Sequence, residues 1–341
     1  MRFIFELNHP KHYYQFKYVM QLLKDHGHEI LVLARDKDVL LDVLEEEHVP
    51  YEIFGAHRKK LSGKIFGTFA ILRNYTRIVK RFNPDVIVSK ASYYGCRCAK
   101  QFGCKSVIFP DSEVVKLTNK HVVPLASVIV TPETFGLDYG EKHVRVKGLF
   151  EDCYLAPTVF TPDSEVVSHY RLVKPYAIFR FVGWFANHDV NNNGFTHEEK
   201  KSLIQAVVPY MHVYLSSENE LPAELAQYKL PTPASIIHSV LSEADLYLGD
   251  SQTMATEAAL LGVPAIRSNS FVGENDMTNF KVLENKYGLL RNVRNYEDVL
   301  ALVTDFASHS RKQEWMEKRQ AYYQHVGDPN RLIVDILEKN N

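Results

Sequence analysis

Two hydrophobic periods alternate along the first part of the chain. Apolar runs of strand length lie at Arg2–Leu7, Glu29–Ala34, Tyr51–Phe54, Val86–Ser89, Ser106–Phe109 and Val128–Thr131. Between them, His12–His26, Val39–Glu47, Ile65–Phe82 and Tyr93–Phe102 place apolar residues three and four apart, the helical spacing. Gly27 stops the first of these helices and Asn83-Pro84 stops the third. Val114–Leu125 is a further candidate helix. Strands separated by helices mean βαβ units and a parallel sheet. Right-handed crossovers then predict a doubly wound, Rossmann-like domain.

The pattern changes around Gly148–Pro162, where Pro157 and Pro162 punctuate a connecting stretch. A second series follows. Strands are expected at Tyr176–Phe181, His212–Leu215, Asp245–Leu248 and Ala265–Arg267, and helices at His197–Val208, Ser235–Ser242 and Thr253–Leu261. The tail from Tyr296 is mostly helical. The expectation is an α/β chain of two Rossmann-like, doubly wound domains facing a cleft. The domains are expected at residues 1–155 and 156–320, with a C-terminal helix at 321–341 that returns to the first domain. Ligands of such sheets sit outside the carboxyl ends of the strands.

Composition narrows the function classes. The 341 residues include 40 Lys plus Arg and 41 Asp plus Glu, a net charge of -1. A nucleic-acid coat protein needs clustered surplus cations, so no nucleic-acid partner is expected. The chain is 45% hydrophobic and 24% charged, as in ordinary globular proteins. The longest stretch without a charged residue, Ser202–Ser217, is shorter than the ~20 residues of a membrane span. The N-terminal apolar run is too short for a signal peptide and is broken by Glu6. A cytoplasmic protein is therefore expected. Cys96, Cys98, Cys104 and Cys153 fit a reducing compartment, and their spacing is not that of a zinc site. The 19 Tyr and 19 Phe against 2 Trp remain unassigned.

The strongest local signal is the segment from Asp245 to Ile266. A strand ends at Gly249 and a helix begins within Asp250–Thr253, so small polar residues leave free backbone N–H groups at a helix start, which suits a diphosphate. Glu257 lies one turn into the helix, where its carboxylate would accept from a ribose diol. Gly262 and Pro264 close the helix and open the next strand. A plain strand–helix–strand unit with Asp250 or Ser251 as N-cap is the competing reading.

Gly249–Ile266 resembles the C-terminal nucleotide-sugar signature of GT-B-type proteins. That superfamily holds the lipid-intermediate N-acetylglucosaminyltransferase of peptidoglycan synthesis and the UDP-N-acetylglucosamine 2-epimerases. The small-polar turn, Thr253, Glu257-Ala258 and Gly262-Val263-Pro264 match in order. Asn8-His9-Pro10-Lys11-His12 and His26-Gly27-His28-Glu29 resemble a prokaryotic family of unknown function in the same superfamily. The resemblance implies a GT-B arrangement and a nucleotide-sugar ligand, and it does not specify the reaction.

Further candidates follow strand ends. The turn after the first strand lacks the glycines common in the transferases and offers His12 and His9 as proton acceptors, or one of them as a helix cap. Asp111 and Glu113 follow another strand, where the epimerases carry acidic catalytic residues; capping of the next helix is the alternative. Arg180 interrupts an apolar strand and needs a partner, either a diphosphate or a carboxylate within the domain. Ser216-Ser217-Glu218, Trp184 and His188, Arg267, Glu274 and Asn275 are weaker candidates. The nucleotide-sugar set is thus Arg180, Ser216, Asp250, Ser251, Gln252, Thr253, Glu257 and Arg267, and the catalytic set His12, His9, Asp111 and Glu113.

A basic patch at His57-Arg58-Lys59-Lys60 and Lys64 continues into a helix with Arg73, Arg77, Lys80 and Arg81 on one face. Ile65, Phe69, Leu72 and Val79 lie on another. Residues 57–81 read either as an ordinary solvated face or as a peripheral contact with anionic lipid at the inner face of the membrane. Together these features predict a nucleotide-sugar-dependent glycosyltransferase, acting on a cell-surface glycan or a lipid-linked acceptor. A nucleotide-sugar 2-epimerase and a non-catalytic nucleotide-sugar-binding protein are the alternatives. No metal and no cofactor beyond the donor, expected to be UDP-linked, are called for, because Arg and helix-terminal donors can stabilise the departing charge. A dehydrogenase is disfavoured, since no G-x-G-x-x-G follows the first strand.

Overall fold

The computed structural model describes residues 1–36, 40–56, 61–113, 120–181, 195–217, 220–274 and 276–339. In chain order its main elements are β1 (Arg2–Leu7), α1 (Pro10–Asp25), β2 (Glu29–Asp36), α2 (Leu40–Glu46), β3 (Tyr51–Ala56), α3 (Leu61–Phe82), β4 (Val86–Ser89), α4 (Tyr93–Phe102), β5 (Lys105–Ile108), β6 (Val128–Pro132), β7 (His143–Val146) and β8 (Tyr176–Arg180). Then come α5 (His197–Val207), β9 (His212–Ser216), α6 (Ile237–Glu243), β10 (Leu246–Gly249), α7 (Gln252–Leu260), β11 (Ala265–Arg267), α8 (Thr278–Asn285), β12 (Leu290–Asn292), α9 (Tyr296–Ser308), α10 (Lys312–Val326) and α11 (Pro329–Lys339). The chain divides into two compact units, Met1–Tyr154 with Val326–Asn341, and Leu155–His325.

The first unit is built on a parallel sheet in the order β3-β2-β1-β4-β5-β6-β7, which reverses direction between β1 and β4. β1 shows why a continuous apolar run was needed. Phe3, Phe5 and Leu7 pack on one face with Phe16 and Val19 of α1 and with Ile333, Val334 and Leu337 of α11. Ile4 packs on the other face with Leu33, Phe54, Tyr75 and Val79. A strand covered on both faces has no polar side to offer. Glu6 is the exception, a carboxyl that is 1% exposed near the strand's C-terminal end. Burial pushes its pKa up, against hydrogen bonds from Ser92, Asn8 and Tyr75.

The second unit carries a five-stranded parallel sheet in the order β12-β11-β10-β8-β9, which reverses between β8 and β10. Gly249 pairs opposite Arg180 in that central pair. A Cβ at Gly249 would collide with the Arg180 carbonyl oxygen and the Tyr247 hydroxyl, so only glycine lets the strands close there. Ser251 caps α7, its hydroxyl accepting from the Met254 N–H at 3.4 Å. A Thr196–Glu199 capping box starts α5.

Two strands were not anticipated. β7 and β12 are short, and both sit at a sheet edge with polar residues among their few positions, so neither shows an apolar run. The expected helix over Val114–Leu125 lies partly outside the described residues; Val123–Leu125 form a single 3-10 turn with Pro124 at its start. No described helix is long and apolar enough to cross a membrane.

Candidate functional site

In each unit, polar side chains collect where the strand order reverses, the place where an open α/β sheet leaves a crevice outside its strand ends. In the second unit this is the end of β8 and β10. Arg180 is the last residue of β8, and its Nη1 donates to the Ser216 hydroxyl at the end of β9, 3.3 Å away. One strand over, the Asp250 N–H donates to the Arg180 carbonyl at 3.1 Å, which ties the turn before α7 to the end of β8. Asn269 holds the same turn, donating to the Asp250 carbonyl at 3.1 Å. Asp250, Ser251, Gln252 and Thr253 are half-buried at the start of α7. The N–H groups of that first turn and the Arg180 guanidinium therefore share one end of the sheet, an arrangement that favours anions.

Glu257 is almost fully buried, and its Oε1 lies 3.2 Å from His238 Nε2 on α6. His238 in turn meets the Phe160 ring edge to face. Lys200 of α5 is buried beside the Phe181 ring. Burial pushes its pKa down, and the Asp250 and Glu199 carboxylates oppose that shift.

In the first unit the corresponding place is the end of β1 and β4. His9 is the extended N-cap of α1, its Nδ1 accepting from the Lys11 N–H at 3.1 Å. The Asn8 N–H donates to Nδ1 of His12 at 3.2 Å. Burial first, and the Lys90 charge second, push the His12 pKa down to about 3. A neutral imidazole whose Nδ1 accepts carries its hydrogen on Nε2. In this geometry His12 presents a donor, because its Nδ1 lone pair is occupied by the Asn8 N–H.

Lys90 follows β4 and is buried, with Nζ 2.8 Å from Gln15 Oε1, 3.2 Å from Asp111 Oδ2 and 4.2 Å from the centre of the Phe150 ring. Lys11 Nζ lies 2.8 Å from Glu151 Oε1 and 3.8 Å from Asp111 Oδ2. Burial alone would raise the Asp111 pKa, but Lys90 and Lys11 outweigh it and hold the carboxylate well below its usual range. Burial pushes Lys90 itself down. The result is a half-open, ionised carboxylate with two ammonium groups behind it.

A model of the family described as a protein of unknown function (DUF354) matches residues 3–147, within the first unit. No curated protein matches the chain. Among solved structures, the UDP-GlcNAc 2-epimerase from Methanocaldococcus jannaschii superposes with a TM-score of 0.70 at 14% identity, covering 99% of this chain and 100% of that one. MurG of Acinetobacter baumannii gives 0.62 at 18% identity, covering 99% and 100%. The UDP-GlcNAc 2-epimerase from Neisseria meningitidis, bound to UDP-GlcNAc, gives 0.68 at 12% identity, again covering 99% and 100%. The chain has the GT-B fold. At such identities the likeness speaks for the fold alone.

Several anticipated residues of this GT-B chain lie elsewhere. Arg267 is fully buried, paired with Asp276, donating from Nε to Asn292 Oδ1 at 2.8 Å and stacked 3.5 Å from the centre of the Phe280 ring. Its charge is met inside the unit by Asp276. Glu113 turns away to accept from the Gly136 N–H at 2.6 Å. Trp184, His188, Glu218 and Asn275 lie outside the described residues, as do residues 57–60 of the basic patch. On α3, Arg73, Arg77, Lys80 and Arg81 are exposed, but Arg81 is paired with Glu52 and Arg77 donates to Asn74 Oδ1 at 2.9 Å. Phe69, expected on the apolar face, is 71% exposed. Lys90, His238 and Lys200 were missed. A lysine after one strand and a histidine within a short helix carry no local signal, because their partners are distant in sequence.

Proposed function

We propose that this chain transfers a sugar from a nucleoside-diphosphate donor to a hydroxyl acceptor, with the donor held by the second unit. The observation that carries the reading is Arg180 at the end of β8, beside the turn that opens α7. A diphosphate there would accept from the guanidinium in a bidentate pair and from the first-turn N–H groups of α7. The Glu257–His238 pair would meet the ribose hydroxyls. When the bond between the anomeric carbon and the diphosphate oxygen breaks, the charge left on that oxygen falls among donors already in place.

The first unit would serve the acceptor. As the acceptor oxygen bonds to the anomeric carbon, its proton would leave to solvent, with the Asp111 carboxylate accepting a hydrogen bond from the acceptor hydroxyl beforehand. His12, as a donor through Nε2, would orient the acceptor rather than deprotonate it. Two features support transfer over epimerisation. Glu113 is engaged with the Gly136 N–H, and Asp111 is held ionised by two lysines, so Asp111 does not stand ready as a general acid beside Glu113. UDP-linked sugars on a cell-surface glycan or lipid-linked acceptor are the substrates the sequence resemblance suggests.

The test is a thermal-shift series with nucleotides and nucleotide sugars, since a ligand of the native state raises its melting temperature. Nucleoside diphosphates should raise it and nucleosides should do so far less. No shift with any of them would refute a donor site. Incubation with UDP-N-acetylglucosamine and no acceptor should leave the sugar unchanged. Epimerised or eliminated sugar would instead make the chain an epimerase.

A further inference from the structure

Away from both strand-end clusters, the first unit brings two histidines and a carboxylate to one point. His26 is the C-cap of α1, and its backbone N–H donates to the Leu22 carbonyl. Gly27 follows at φ 82, in the left-handed region that glycine adopts freely. His28 then donates its backbone N–H to the Leu23 carbonyl at 3.0 Å, at the entry to β2. The left-handed step turns the chain back so that both imidazoles face the same side. The third group comes from the far end of the chain: Glu338, on α11. Its Oε1 lies 2.7 Å from His26 Nδ1 and 2.9 Å from His28 Nε2.

We propose that His26, His28 and Glu338 form a binding site for a divalent transition-metal ion of the zinc type. Their ligand atoms, one from each side chain, all lie within 4.8 Å of one another. A tetrahedral zinc ion with bonds of ~2.0–2.2 Å separates neighbouring ligand atoms by about 3.3–3.5 Å. The two histidine–carboxylate distances need to open by only about 0.4–0.8 Å. His26 and Glu338 have room for it, with side chains 50% and 29% exposed. His28, 16% exposed, is the fixed member. Its other ring nitrogen lies 3.1 Å from the Met1 nitrogen, and its ring packs edge to face on Phe3.

The donor set selects the ion. Two imidazoles and one carboxylate suit zinc and its first-row neighbours, whereas magnesium and calcium demand oxygen ligands. Three protein ligands leave a fourth position for water. The ion would clip the end of α1 to α11, and so tie the chain's C-terminal helix to the unit it packs on.

The experiment is isothermal titration of the untagged full chain, freed of metal by chelation, with zinc chloride and with magnesium chloride. Zinc should bind with one-to-one stoichiometry and magnesium should not. His26→Gln and Glu338→Gln, both at partly open positions, should each weaken zinc binding tenfold or more. Circular dichroism confirms that each variant is folded; His28→Gln serves as a further variant if one of them is not. Cobalt(II) in place of zinc should show the intense visible absorption of a four-coordinate site, lost in the same variants. Absence of stoichiometric zinc binding, equal binding of magnesium, or variants that bind zinc like the parent would each overturn the proposal.

Discussion

Replacing Asp276 with alanine removes the carboxylate that faces Arg267 and leaves the guanidinium buried. Arg267 is fully enclosed, and Asp276 is 7% exposed. After the change, the guanidinium keeps the Nε bond to Asn292, its stacking on Phe280 and the more distant Glu284 charge, but loses its paired carboxylate. Breaking a buried pair on one side costs about 3–5 kcal/mol, because a desolvated charge loses its counter-charge. For a unit of this size, 1 kcal/mol moves the melting temperature by about 2–4 °C, so the loss is about 10 °C or somewhat more. Removing both charges, as in Arg267→Met with Asp276→Ala, should recover most of the loss, since no orphaned charge remains. Circular dichroism melts of the parent, the single variant and the double variant measure this directly. The same proteins, kept well below their melting temperatures, should retain the parent's affinity for nucleoside diphosphate. A single variant that melts within 2 °C of the parent yet loses nucleotide binding would falsify the structural role of Arg267 and return it to the ligand.

Three more outcomes follow from the strand-end clusters. Arg180→Ala should weaken a nucleoside diphosphate by about tenfold to a hundredfold while leaving the nucleoside nearly unchanged, because a hydrogen bond to a charged group contributes about 1.5–3 kcal/mol; equal losses for both ligands in calorimetric titration would refute a diphosphate contact. Glu257→Gln should reduce affinity for a ribonucleotide by about threefold to tenfold, one hydrogen bond's worth, and have no effect on its 2′,3′-dideoxy analogue. The pH dependence of His12 has a definite sign: its folded value of about 3 lies below the ordinary 6.5, so the charged ring is disfavoured in the native state. Stability is therefore complete above pH 6.5 and falls as pH drops toward 3. In urea melts, His12→Asn, which keeps an acceptor for the Asn8 N–H, should lose less stability than the parent between pH 6.5 and 4; parallel curves would contradict that shift.

Much of the fold was visible because β1, β4, β8 and β10 are buried on both faces, and a strand in that position has to be apolar throughout. β7 and β12 are edge strands of three or four residues with polar members, so nothing in their pattern separates them from loops. The start of α7 was legible for a local reason: a strand must end where Gly249 stands, and Ser251 caps the helix that follows. The sequence also shows that Arg180 and Arg267 each sit in an apolar strand and each need a partner. It does not show that their partners differ. Arg267 finds Asp276 nine residues on, across a loop, whereas Arg180 emerges at the end of its strand beside the Ser216 hydroxyl. Residue type was readable, and the partner was set by where the strand ends.

His9 and His12 carry this further. Both are histidines of one short turn, and by residue type either one is a base. The backbone decides otherwise. The turn from β1 into α1 leaves two amide hydrogens without helical partners, those of Lys11 and Asn8, and each histidine gives its Nδ1 to one of them. A helix start that lacks serine, threonine or aspartate has to be capped by whatever is present, and here the imidazoles do it. In His12, burial also keeps the ring neutral, so with Nδ1 used in this way its remaining nitrogen is a donor. The ionised group of the turn's surroundings is then Asp111, on a different strand end, held by Lys90 and Lys11. The absence of glycine between Asn8 and His12, which sets this turn apart from the Gly-rich turns of the transferases it resembles, thus has a chemical consequence: it engages Nδ1 of His12 with the backbone and leaves Asp111, after β5, as the described carboxylate of this cluster held in its ionised form by two cations.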